Sequence, residues 1–554
     1  MRPLQLGQPP QHKECVMISK HVKLDQDLQT LAVWGVEALN AVIAIDSQSD
    51  ERNPALPSSE GQRHLSAYLQ DFFQRLGYAP EIDAYANLLV PIPSNLPTPS
   101  VPQIALMAHL DTAQGTQAIP ALCNTPAWDG RPIAFSANPR LQVSAEEYPQ
   151  TRGFLGEDLL HGDGDAPVGL DDKLGMAQMM TLARVLAENP SVAHGDLLLV
   201  FRPDEEIGRM EVIEGLAAQL AERGVKFGYT ADGLDPFEIN IENFNASRAR
   251  VTFQGQPIAL SAHVARRLDI MVHGVKSHGA TAKAEGYRNA TRLVCEILRK
   301  VPQDTMFPVH FQSDVTSEVN ASLSLILHGA TEQDLDLTEQ HLCTAFDAAF
   351  SPIQKRGASW EITTRSSVDP TSPYSDEIAR AFQCVDAFLR SQPAPKPLLS
   401  EDSEGFQGYT NPYFIDHKSP LATLDFRIRD FSHEHLASRE EHVCSVVAKQ
   451  PHATVEIAQQ YINMGPALAP FPQLLTWAQE AAQSIGQTAV RQPIRGGTGV
   501  DPFLAHNIPV ANLGTGYFAP ESEKEFTSRQ CLARHILWHV QLVHHIAAQY
   551  APQA

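Results

Sequence analysis

Five short segments place acids or a histidine beside a turn. They are MAHLDT with His109 and Asp111, GLDDKLG with Asp171 and Asp172, RPDEEIG with Glu205 and Glu206, YTADG with Asp232, and HGVKSHGATAK with His278. Each is weak alone. An HxD is commonly a surface turn, adjacent acids are commonly solvated, and a Glu pair can simply cap a helix N-terminus. Together they match one kind of chemistry. Two divalent ions about 3.5–4 Å apart need a bridging carboxylate and terminal His, Asp or Glu ligands. Hydrolysis also needs a free carboxylate to take a proton from the activated water. The adjacent glutamates can divide those roles, one as ligand and one as base.

The elements around these residues fit that convergence. The apolar run Ile104–Met107 leads into His109, and Leu197–Phe201 leads into Asp204, Glu205 and Glu206. Between them Gly175–Glu188 reads as a helix, so the rhythm is that of an α/β domain. Ligand groups in such domains gather at the carboxyl ends of strands. Residues 26–79 read as helices. Leu65, Leu69, Phe72, Phe73 and Leu76 have helical spacing, and Gly77 follows as a stop.

Residues 247–460 have a different texture, with strands and helices alternating around polar turns. An internal echo runs through them: Leu325–Phe346 matches the stretch from Phe426, with Leu335 on Leu436, His341 on His442 and Cys343 on Cys444. Trp360–Ile362 similarly echoes Val455–Ile457. A duplicated strand–helix–strand unit is expected, about 322–405 echoing 423–500. Thr527–Tyr550 reads as an amphipathic helix. His535 and His539 stand four apart, a zinc-chelating spacing. No Glu sits where HExxH needs it, and Leu537, Trp538, Leu542 and Val543 mark a packed helix.

Composition limits the partners. The chain has 554 residues and 43% hydrophobic residues, with 64 acids against 42 lysines and arginines and a net charge of −22. That balance argues against nucleic acid and anionic membranes, which call for a basic face. No run approaches the ~20 apolar residues of a membrane span, and the N-terminus has no signal-peptide core. The 7 cysteines are scattered, without a CxxC. A reduced, cytoplasmic, enzyme-sized protein is the expectation.

At this point a family resemblance emerges. The strings SSEGQ (58–62), MAHLDT, LLHGDGDAPVGLDDKLGMA, HGDLLLVFRPDEEIGR, YTADG with IENFNA, SHGATAK, IRDF (428–431) and PIRGGTG (493–499) are collinear. The chain resembles the peptidase T group of tripeptide aminopeptidases, within the dizinc aminopeptidase/carboxypeptidase/aminoacylase family. The resemblance implies an α/β catalytic domain with a mixed central sheet flanked by helices, interrupted by an inserted α+β lid. Catalytic segments are expected at 1–246 and 461–554, with an enlarged lid at 247–460. It implies two divalent metal ions, zinc foremost, with manganese or cobalt as alternatives. His109 would bind the first metal and Asp111 would orient that imidazole. Asp171 would bridge, Asp232 would complete the first metal, and Glu206 would hold the second. Asp172 is read as support. Glu205 would be the general base, and His278 would stabilise the oxyanion. Arg429 and Arg495 match arginines that grip the peptide carboxylate. Relatives commonly dimerise through the lid, so a homodimer is a further expectation.

The resemblance breaks at two places. The family's HGKHEF string is ESEKEF here (521–526), so Glu521 stands where the last histidine ligand belongs. The family's GGTDG has become GGTGV, with Gly499 and Val500. A site of two Asp, two Glu and one His carries one more negative charge than the usual set, which weakens Lewis acidity and favours harder ions such as manganese. The lid is also longer than in relatives. Its second copy keeps the family's arginines, whereas the first has His328 and Ser400 opposite Arg429 and Arg495. Two other readings stay open: hydrolysis of another amide, such as an N-acyl or carbamoyl amino acid, and a weakly active or degenerate peptidase fold that serves as a binding protein.

Overall fold

The computed structural model describes residues 22, 24–96, 101–139, 141–146, 148–260, 262–275, 289–313, 319–354, 357–391, 395–396 and 399–550. An eight-stranded mixed sheet forms the larger half. Its strand order is Glu81–Ile82, Leu88–Ile92, Leu197–Arg202, Ile104–His109, Phe227–Gly233, Val510–Gly514, Glu238–Asn240 and Val490–Arg491. The central strands Leu197–Arg202, Ile104–His109, Phe227–Gly233 and Val510–Gly514 pair in parallel. Ile104–His109 and Leu197–Arg202 are buried at every position. A strand covered on both faces reads as an unbroken apolar run rather than an alternation, and both of these do. Each ends on a polar residue, His109 or Arg202, at the carboxyl edge of the sheet.

Helices Leu28–Ile43, Leu170–Glu188, Gln473–Ser484 and Arg529–Tyr550 pack on one another. Glu60–Arg75 packs beside the edge strand Glu81–Ile82 and its neighbour Leu88–Ile92. The helices read over 26–79 are Leu28–Ile43 and Glu60–Arg75; the apolar spacing from Leu65 marks the second, and Gly77 follows it with φ +90. Leu170–Glu188 is buried along nearly its whole length. His535 and His539 belong to the core: the His535 ring stacks on Phe237 at 4.4 Å and that of His539 on Trp538 at 6.0 Å. A smaller sheet of Tyr517–Phe518, Phe526–Ser528, Leu159–His161 and Cys123–Thr125 shapes the turn that carries Glu521.

The inserted α+β lid holds two antiparallel four-stranded sheets of identical strand order. One runs Met306–Ser313, Val319–Gly329, Val264–His273, Ser359–Val368. The other runs Tyr409–Lys418, Leu421–Asp430, Asn245–Gln254, Ala453–Tyr461. In both, the chain follows strand, helix, strand, strand, helix, strand. Helices Ala290–Leu298 and Glu332–Phe350 serve the first, and Glu377–Arg390 and His433–Val447 the second. The first unit is therefore inserted into the second, between Asn245–Gln254 and Glu377–Arg390. The echo read from sequence lies on equivalent elements, with Leu335 and Leu436 both buried. The repeated architecture covers more than the echo's windows at the amino-terminal side and less at the carboxyl side. After Tyr461 the chain returns to the large core through Met464, Leu468, Leu474 and Trp477.

The units share one apolar core. Each first helix packs on the edge strand of the other unit: Ala290–Leu298 on Tyr409–Lys418, and Glu377–Arg390 on Met306–Ser313. Those edge strands meet, Ile415 N–H donating to Ser313 Oγ at 2.9 Å and His310 Nδ1 lying 2.8 Å from His417 Nδ1. Exposed strand edges invite unwanted pairing, and here each unit covers one edge of the other.

Candidate active site

The site lies at the carboxyl edge of the parallel strands and faces the second lid sheet across a cleft of about 1100 Å³. His109 ends its strand, fully buried. Its Nε2 lies 2.9 Å from Asp171 Oδ1 and 3.5 Å from Asp232 Oδ1, and the three side chains can direct ligand atoms to one point. Its Nδ1 faces the backbone carbonyl of Asp111 at 3.0 Å and the Asp111 carboxylate at 3.4 Å. Asp171 and Asp172 open the helix Leu170–Glu188 with non-helical backbone angles. Asp171 therefore faces the cleft, while Asp172 turns inward to accept the amides of His109 (3.1 Å) and Gly175 (3.2 Å).

Asp111 binds the glutamate turn directly. Its Oδ1 accepts the Glu205 amide at 2.9 Å and its Oδ2 the Glu206 amide at 3.1 Å. From the other side, Asp204, with φ +55, is held by the Ser58 amide and hydroxyl and by the Gln62 amide group. Glu205, Glu206, Asp171, Asp232 and Glu521 all line the cleft. Glu521 sits in a turn with φ +53, and its amide donates to Glu525 Oε1 at 2.8 Å. Glu525 Oε2 in turn accepts the amides of Val168, Gly169 and Leu170. One buried carboxylate thus ties the Glu521 turn to the segment that carries Asp171.

The electrostatics of the site call for cations. Burial, then the Glu521 and Asp171 charges, push Glu206 well above the usual carboxylate range. Burial pushes Asp232 up to about 7; the Glu205 and Asp171 charges add to this against the hydrogen bond to His109. Burial likewise raises Glu205, although Arg202 and His109 oppose it. Burial disfavours a charged His109, yet its contacts with Asp111, Asp171 and Asp232 prevail and raise it well above the ordinary value. Asp171 is held low in spite of burial by His109 and by the Tyr517 hydroxyl, which donates to its Oδ2 at 2.8 Å. Among the described residues, Glu206 Oε1 is buried without a hydrogen-bond partner. Buried like charges of this kind are retained where a metal neutralises them, so the donor set fits divalent ions.

Arg429 and Arg495 line the same cleft from the lid and the returning chain. Arg429 donates to the carbonyls of Ser247 and Ile428 and lies over the Tyr461 ring, and Arg495 is held by Ser403. Gly499 lies against Arg202 and Glu205. It has φ +56, and a Cβ there would come within 2.7 Å of Glu205 Oε1 and 2.6 Å of Arg202 Nη1. His278 lies outside the described residues. Tyr517, Glu525, Arg202 and the Ser58–Gln62–Asp204 clamp carry no signature in the sequence. Several of them sat inside the strings SSEGQ, RPDEEIG and ESEKEF, but nothing local marked which residues they would touch.

The chain belongs to the peptidase family M20/M25/M40, which it matches over residues 159–545. Within that family it is similar to peptidase T. It is 25% identical to that of Macrococcus caseolyticus over 491 residues, covering 87% of this chain and 90% of the relative. It is 25% identical to that of Exiguobacterium sibiricum over 503 residues, covering 89% and 93%. The aminoacylhistidine dipeptidase of Vibrio alginolyticus has a similar fold, with a TM-score of 0.53 at 16% identity over 96% of this chain and 99% of that one.

Proposed function

We propose that this protein is a metal-dependent exopeptidase, an aminopeptidase that releases the N-terminal residue of tripeptides and other short peptides. The observation that carries this reading is the joining of two parts in one cleft. A buried acid cluster around His109 lies on one wall, and arginines without carboxylate partners among the described residues lie on the other. His109, Asp171, Asp232, Glu206 and Glu521 would hold two divalent ions, zinc foremost and manganese or cobalt as alternatives. When bound, such ions supply Lewis acidity at the scissile carbonyl and make water nucleophilic at neutral pH.

The chain's own residues do the rest. Glu205 takes the proton of the attacking water and passes it to the leaving amine. Its raised proton affinity suits a group that must accept and then give up a proton. Asp111 holds the amides of Glu205 and Glu206 so that base and ligand keep a fixed spacing. Arg429 and Arg495 grip the peptide carboxylate. His278 is assigned the oxyanion by its sequence motif alone.

The test is a substrate panel on the metal-loaded protein. The reading expects release of the N-terminal residue from free tripeptides, and a fall of about 10²–10⁴-fold in Glu205→Gln with metal retained. Cleavage of N-acetylated amino acids with no action on tripeptides would replace the aminopeptidase by an acylase-type amide hydrolase.

A further inference from the structure

The lid wall of the cleft carries more positive charge than one peptide carboxylate needs. Strands Asn245–Gln254 and Leu421–Asp430 pair so that Arg250 faces Asp425, Arg248 faces Arg427 and Ala246 faces Arg429. These positions alternate with the strand period, and the charged ones all line the cleft. The first pair is matched: Arg250 Nε and Nη2 bind the two Asp425 oxygens at 2.9 and 2.8 Å. The next pair is two arginines directly opposite, an arrangement that destabilises a sheet. Arg248 has an ion pair at 3.7 Å with a largely exposed Glu51, which is worth little. Arg427 has neither a carboxylate within ion-pair distance nor a hydrogen-bond acceptor among the described residues. Its guanidinium lies 3.7 Å from the centre of the buried Tyr413 ring. Stacking on a ring fixes the guanidinium plane and leaves its in-plane N–H donors available to a planar anion.

We propose that Arg427, oriented by Tyr413 and assisted by Arg248, forms a subsite for an acidic side chain of the substrate. The preferred peptides then carry Asp or Glu in addition to the terminal carboxylate held by Arg429 and Arg495. This rests on the exopeptidase reading for its substrate class. The competing explanation is that Arg427 offsets the extra charge of Glu521, which acts on it through space.

The experiment uses tripeptides in which one residue at a time is Glu or its neutral isostere Gln. For wild type, Arg427→Met and Arg248→Met, kcat/KM is measured on the metal-loaded protein. Affinities are measured by calorimetry in the Glu205→Gln background. The expected result is one position at which Glu exceeds Gln by about tenfold or more. Arg427→Met brings that ratio toward one, and Arg248→Met lowers it partway. No preference at any position in wild type overturns the proposal, and so does an equal loss on Glu and Gln peptides in Arg427→Met, which is the signature of charge offset. If no peptide is cleaved, the exopeptidase reading fails. The calorimetric ratio then decides the subsite by itself, and equal or absent binding overturns it.

Discussion

Replacing Asp111 by Asn tests how the two glutamates are held in place. Asp111 is fully buried, and its two oxygens accept the amides of Glu205 and Glu206 at 2.9 and 3.1 Å. Asparagine keeps the shape and one acceptor, but its amide nitrogen faces a backbone N–H with another N–H. One charge-assisted hydrogen bond, worth about 1.5–3 kcal/mol, is lost, and one buried donor is left unpaired at about 1–3 kcal/mol. The two together come to roughly 2.5–6 kcal/mol, shared between lower stability and a displaced turn. A shift of the turn moves Glu205 and Glu206 together, and a misplacement near 1 Å costs on the order of 10²-fold in rate. Urea unfolding of the metal-loaded proteins, kcat on a tripeptide and metal content are the three readings. If Asp111→Asn unfolds within about 0.5 kcal/mol of wild type and keeps kcat within about threefold, Asp111 does not position the glutamates and the site is wrongly built.

Three further outcomes follow from the same contacts. Tyr517→Phe removes the hydroxyl that donates to Asp171 Oδ2, and metal affinity measured by competition with a chelator is expected to weaken about 10–100-fold. The metal-free protein should lose stability as pH rises from about 4 to 7. Asp232 titrates near 7 when folded against 3.8 in the unfolded chain, so its proton stabilises the fold fully only below 3.8, and that stability is lost as pH rises through 7. The thermal-shift gain from added zinc or manganese should therefore grow across that window; a gain that shrinks with rising pH contradicts the assignment. Phe388→Ala opens the shared lid core where Phe388 meets Phe426 at a ring separation of 5.0 Å. It should cost about 3–5 kcal/mol, with hydrogen-exchange protection falling in both lid sheets together; loss in one sheet only would mean two separate cores.

The parts legible in the sequence were those with local signatures. Buried parallel strands read as apolar runs, so Ile104–His109 and Leu197–Arg202 could be placed along with the polar groups at their ends. The lid repeat was visible because Leu335 and Leu436, on equivalent helices, face the same core. Its limits were not visible, because one unit is threaded into the other and Asn245–Gln254 is separated from its own sheet by a whole inserted copy. The contacts that set the site were silent for the same kind of reason. Tyr517 reaches Asp171, Glu525 reaches Val168–Leu170, and Ser58 reaches Asp204 across long stretches of chain. Such pairings leave no spacing pattern. The Arg248–Arg427 pair depends on strand register, which only the paired sheet reveals.

The decisive measurement is metal content by mass spectrometry, on the same sample whose tripeptide hydrolysis is followed before and after chelation. Glu521, which lines the cleft with Asp171 and Glu206, makes the outcome informative. About two divalent ions per chain are expected, with hydrolysis lost on chelation and restored by zinc, manganese or cobalt, and a lower metal count in Glu521→Ala. A chain that binds no divalent ion at neutral pH and cleaves no tripeptide would contradict the metallopeptidase reading.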